Sequence, residues 1–158
     1  MIGKACRHVP RDRAREVIAG YTIVNNVSVR DWQIRVQTMT MGKSFDTHCP
    51  LGPWITTADD VGNPHELGVR TWVNGELRQD SNTKELIFDC FALVEHLSTS
   101  FTLEPGDVIA TGTPSGVGIG MKPPSLLKAG DVVRIEIEGI GEIENPMIDE
   151  PADTAKIV

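Results

Sequence analysis

Positive charge is in short supply here: 15 lysines and arginines face 22 aspartates and glutamates, a formal net charge of −7. The cations are scattered and form no basic stripe, so a phosphate backbone is repelled and nucleic acid is not an expected partner. Cysteine is rarer still. Cys6, Cys49 and Cys90 are widely separated, with no CxxC pair and no even-numbered set. That argues against a disulfide framework and offers no zinc-ligand spacing. A reducing compartment is the expectation, cytoplasm or mitochondrial matrix, with each thiol acting as a small buried apolar group. Long hydrophobic runs are also missing. No segment reaches the ~20 apolar residues of a membrane helix, and Met1-Ile2-Gly3-Lys4 opens without the apolar stretch of a secretory signal.

What is present is an ordinary globular balance, 40% hydrophobic and 23% charged over 158 residues, enough for one domain with a real core. The 15 glycines and 10 prolines are spread along the chain, which implies many short extended segments joined by tight turns. Asp12–Ala19 reads as a short helix, with Gly20 as a left-handed stop. Residues 21–27 read as a strand and 28–33 as a helical turn, on which Arg30 and Gln33 point the same way. Residues 70–77 form a strand running into a hairpin through Asn74-Gly75, the signature of a type I′ turn. Residues 82–101 hold the clearest helix, with Asp89 or Asn82-Thr83 as its cap. Val108-Ile109-Ala110 reads as an apolar strand. Residues 132–137 and 141–143 read as a final hairpin, and 149–158 as a loose tail after a domain spanning 1–148. The fold class expected is α+β and β-rich, not an alternating βαβ chain.

Three polar clusters carry possible chemistry. Asn26, Arg30 and Gln33 lie at a strand end and on the turn after it. Lys43 sits in Gly42-Lys43-Ser44-Phe45-Asp46-Thr47, ahead of the shape-fixing Cys49-Pro50-Leu51-Gly52-Pro53. Thr113 belongs to Gly112-Thr113-Pro114-Ser115-Gly116-Val117-Gly118, whose glycines let a backbone approach a ligand. Together they offer Arg and Lys to a carboxylate, and Gln, Thr and backbone N–H groups as neutral donors. Such a set suits a small acid that develops negative charge. The plainer readings are a solvated helix face, a surface lysine and a simple turn. Gly42-Lys43-Ser44 is not a phosphate loop, because the upstream glycine is absent.

In this order the clusters resemble one family. Gly20-Tyr21-Thr22-Ile23-Val24-Asn25-Asn26-Val27-Ser28-Val29-Arg30-Asp31-Trp32-Gln33 is similar to a signature of the fumarylacetoacetate hydrolase family. So are the Lys43 block, Val73-Asn74-Gly75-Glu76, Ser81-Asn82-Thr83, Leu103–Ile109 and Ala110–Gly118. The flavour is that of the domain-containing-2 homologues and their bacterial relatives. The resemblance implies a mixed β-roll and a homodimer. It also implies Mg²⁺, Mn²⁺ or Ca²⁺ held by a Glu-x-Glu pair and a later Asp. The implied activity is C–C hydrolysis or decarboxylation of small 2-oxo or 1,3-dioxo acids, or of dicarboxylates, by stabilising an enolate or carbanion. Arg30, Gln33 and Lys43 would be catalytic, and with Thr113 would bind the substrate's oxygens, Lys43 facing the developing charge. Asp46 and Thr47 would add backbone groups.

Two departures qualify that expectation. The family's Asp ligand falls on Asn26, a neutral and weaker metal ligand. Ile2-Gly3-Lys4 resembles the end of the strand after the Glu-x-Glu pair, so both glutamates and a histidine–acid lid would precede residue 1. His8, His48, His65 and His96 lie outside that lid motif and read as surface or structural histidines. The alternative is therefore a degenerate homologue, keeping a small-acid pocket or only a dimerising roll.

Overall fold

In val132–Ile137 every second side chain is aliphatic, and the computed structural model, which describes residues 1–154, buries Val133 and Ile135 on one face of that strand. Six strands form in all among the described residues: β1 (Gly20–Val24), β2 (Leu51–Thr57), β3 (Gly68–Val73), β4 (Glu76–Asn82), β5 (Val132–Ile137) and β6 (Gly141–Pro146). β1 pairs with β2, and the others form a sheet in the order β4-β3-β5-β6. Each of these pairings is antiparallel. The β-rich α+β class expected from the sequence is the one found.

Two cores hold the elements together. Ile23 of β1 packs with Val133, Ile135 and Ile140, joining the small sheet to the large one. Ile2, Ala14, Val94 and Leu103 form the other, between the 3-10 helix Arg11–Val17 and the helix α3 (Cys90–Ser100). Two further helical turns are α1 (Arg30–Gln33) and α2 (Ala58–Val61).

The hairpin at Asn74-Gly75 has positive φ at both residues, 52° and 81°, as a type I′ turn demands. Asp89 caps α3 by accepting from the Ala92 N–H at 2.8 Å. Several boundaries differ from the sequence reading. The expected helix at 12–19 is a 3-10 helix that stops at Val17, because the Val17 carbonyl accepts from the Gly3 N–H instead of continuing a helical ladder. Gly20 accordingly lies inside β1 and is not a left-handed stop. Within 82–101 the helix occupies Cys90–Ser100, capped by Asp89, one of the two caps expected. Asn82 caps a 3-10 turn, Thr83–Glu85. Val108–Ala110 forms no strand, as no neighbour among the described residues pairs with it. β2 covers residues to which the sequence reading assigned no element. Cys49 is exposed, and Cys6 and Cys90 are only partly buried, so the thiols are not the uniformly buried groups expected. The proposed tail lies partly outside the described residues.

Candidate functional site

Arg30 and Gln33, one turn apart on α1, turn their side chains toward each other, and an Arg30 Nη1–H donates to Gln33 Oε1. With its oxygen accepting from Arg30, the Gln33 amide keeps its NH₂ as a donor that no hydrogen bond among the described residues engages. Arg30 Nε is buried with no acceptor, a donor that a folded protein ordinarily satisfies.

Lys43 ends the 3-10 turn Thr40–Lys43, which packs directly on α1. Only glycine permits that approach: a Cβ on Gly42 would lie 2.5 Å from the Gln33 Cα. The Gly42 carbonyl accepts from the Val29 N–H at 2.9 Å. Farther along, Phe45 packs edge-on against Trp32, centroids 5.4 Å apart, and tilts against His48 at 5.5 Å. The loop is thus clamped to α1 on both sides of Lys43.

The Lys43 ammonium donates to the Asn26 backbone carbonyl at 2.9 Å. Burial, and next the Arg30 guanidinium, hold its pKa below the ordinary lysine value, with Cys49 pulling the other way. Neither Arg30 nor Lys43 is ion-paired to a carboxylate among the described residues. Two cations close enough to sense each other, without a counter-ion, make a place for an anion.

Thr113 belongs to a different part of the fold. Its hydroxyl accepts from the Gln79 side-chain amide of β4 at 3.0 Å, and no hydrogen bond among the described residues ties it to Lys43, Arg30 or Gln33. Hydrogen bonds and packing therefore gather Asn26, Arg30, Gln33 and Lys43 into one cluster, whereas Thr113 is tied to Gln79 of β4. Gln79 is a contact that sequence reading missed, because 34 residues separate it from Thr113.

The donor set does not fit a divalent cation by itself. Asn26 is exposed and contributes its backbone oxygen to Lys43. No group of three or more His, Cys, Asp or Glu among the described residues is arranged to hold a metal ion. Hard cations are held by several carboxylate and carbonyl oxygens, so no chemical step through a metal is derived. Of the histidines, His65 Nε2 accepts from the Cys90 N–H at 3.2 Å and its ring packs on Phe91. His48 meets the Asp46 carbonyl through Nδ1. His8 and His96 are exposed.

The family profile described as fumarylacetoacetate (FAA) hydrolase C-terminal matches residues 1–148. The chain belongs to the fumarylacetoacetate hydrolase family. It is 48% identical over 150 residues to the mitochondrial oxaloacetate tautomerase fahd2 of Xenopus laevis, covering 94% of this chain and 47% of that one. Among solved structures, the fumarylacetoacetate hydrolase of the psychrophile Exiguobacterium antarcticum superposes with a TM-score of 0.88 at 44% identity, over 95% of this chain and 54% of that one. A maleylpyruvate hydrolase from a Sphingobium species, in complex with manganese(II) and pyruvate, superposes with a TM-score of 0.80 at 40% identity, over 94% of this chain and 51% of that one. The chain thus spans about half the length of the relatives it matches. These family members are named for isomerising or hydrolysing small acids. No helix among the described residues is long and apolar enough to cross a membrane.

Proposed function

We propose that this chain binds a small 2-oxo acid or dicarboxylate through Arg30, Gln33 and Lys43, with Thr113 as a further donor. The observation that carries this reading is the neighbouring pair Arg30 and Lys43, neither of them ion-paired to a carboxylate among the described residues. A guanidinium spans two carboxylate oxygens and a lysine adds a point charge. Gln33, its oxygen engaged, adds neutral N–H donors. In an enzyme of this family the same groups would stabilise an enolate or carbanion as a C–C bond breaks or a proton moves, with Lys43 opposite the developing charge. The natural reaction would be C–C hydrolysis, decarboxylation or tautomerisation of acylpyruvate-like or oxaloacetate-like acids.

The second reading is a homologue that binds such acids without turnover. Asn26 at the family's Asp position, and a donor set unsuited to a hard cation, favour it. Mg²⁺ or Mn²⁺, with Ca²⁺ as a third candidate, would enter only with ligands from outside the described residues. A homodimer is proposed as well, supported by Leu51, Trp54 and Ile55 exposed on β2, an apolar strand surface that association would cover. Cytoplasm or mitochondrial matrix is the compartment proposed, on the same grounds as the three free thiols.

Titration of Mn²⁺ and of oxalate into the 158-residue chain, beside Asn26→Asp, separates these readings. Saturable oxalate binding is expected without metal. Mn²⁺ binding in the parent chain would favour the enzyme reading. Oxalate binding with no Mn²⁺ response would favour the binding-only reading, and no oxalate binding would sink both. Sedimentation of the same sample at increasing concentration reads the dimer.

A further inference from the structure

Strand β4 does more than extend the sheet. Thr71 of β3 faces Gln79, but its neighbour Trp72 faces Leu77, so the register slips and Arg78 is the extra residue of a bulge. A bulge bends its strand and re-aims the groups beside it. Here the bulge residue and its neighbour Gln79 both meet the Thr113 turn. The Arg78 carbonyl comes so near Gly116 that a Cβ there would lie 1.9 Å from it. The Gln79 amide nitrogen reaches Thr113 Oγ1 at 3.0 Å and the Pro114 carbonyl at 2.9 Å.

The chemistry of these two contacts is directional. A carbonyl can only accept, so the Pro114 oxygen fixes which end of the Gln79 amide is the NH₂ group. That NH₂ has two hydrogens, and each has one partner. The second enters a lone pair of the Thr113 hydroxyl. A hydroxyl has one hydrogen of its own, and no acceptor for the Thr113 hydrogen lies among the described residues. Thr113 is exposed, so its hydroxyl hydrogen faces solvent and is free to pass to a ligand oxygen.

We propose that Gln79 is a positioning residue of the acid-binding site, which orients the Thr113 hydroxyl to donate to a ligand oxygen. This rests on the reading of Thr113 as a ligand-binding residue given above. Gln79 itself touches no ligand. It acts through Thr113, and the Arg78 bulge sets the turn against it.

The test is a double-mutant cycle on the full chain, with oxalate as the probe. Gln79→Met keeps the length of the side chain and removes both donors, while Thr113→Val removes the hydroxyl at constant shape. Gln79→Met is expected to weaken oxalate binding about 3- to 10-fold, the range of one hydrogen bond. In the Thr113→Val background the same change is expected to cost nothing further. Additive losses would show that Gln79 acts independently of Thr113 and would overturn the proposal.

A second readout needs no ligand. Carbon and proton NMR shifts of the Thr113 methyl group report its rotamer, with thermal melting as the control for folding. Gln79→Met is expected to move these shifts toward rotamer averaging while the protein still melts cooperatively. Unchanged Thr113 shifts would overturn the proposal. If the parent chain binds no oxalate, the acid-binding reading fails, and the NMR comparison alone then decides whether Gln79 orients Thr113.

Discussion

Lys43 is the residue at which the proposed chemistry is most exposed to measurement. Burial and the nearby Arg30 guanidinium both disfavour its ammonium form, so the charge is lost at a lower pH than the ~10.4 of an unperturbed lysine. Oxalate affinity is therefore expected to fall through an alkaline window below that value. Folding stability moves the opposite way. Across the window the unfolded chain still holds a proton that the folded chain has released, so this group's contribution to stability rises with pH. Calorimetric titrations and melting curves at stepped alkaline pH would show the two trends crossing, and parallel trends would reject the assignment of the charge to Lys43. Lys43→Ala is expected to weaken oxalate roughly tenfold or more, since a charge-assisted hydrogen bond is lost. Arg30 and Gln33 were legible in the sequence because three residues on a helical turn bring side chains together. The orienting contact from Gln79 was not, since a bulge and a long return of the chain create it.

Local chemistry decided which elements could be read ahead of the structure. Asn74-Gly75 specifies its own hairpin, and Asp89 caps the helix that follows it. Those signals operate within a few residues and need nothing from the rest of the fold. Asp89→Ala is expected to cost about 1 kcal/mol, as typical for a lost cap, and to lower Tm by roughly 2–4 °C for a domain of this size. The loss would include the exposed contact from Arg11 to the same carboxylate, and an unchanged Tm would show the cap to be idle. Where partners are distant, the sequence was ambiguous. Leu51-Gly52-Pro53 carries no strand signature, because proline cannot donate to a sheet ladder and so marks turns and sheet edges. Yet β2 is a strand, paired among the described residues with β1 alone. Val108–Ala110 has the residue types of a strand and finds no partner to pair with among the described residues. The 3-10 helix Arg11–Val17 ends early because Gly3 claims a helical carbonyl.

At the scale of the whole molecule, the strand order β4-β3-β5-β6 has a temporal consequence. β3 meets β4 across a two-residue turn, and β5 meets β6 almost as locally. The central pairing of β3 with β5, by contrast, brings Val73 to Val133. Loop closure of that span costs conformational entropy before any contact repays it, and non-local pairing slows folding. The hairpins are thus expected to form early and their union late. The Thr113 turn lies inside the span that the union closes, and its orienting partner sits on β4. In refolding followed by pulsed hydrogen exchange, amides of β5 and β6 are expected to gain protection before those of Ser115–Gly118. Simultaneous protection would contradict this order. If Thr113 takes part in acid binding as proposed, a chain that has built only its hairpins still lacks that oriented donor, and a small acid added during refolding is expected to hold the finished state rather than to guide the steps before it.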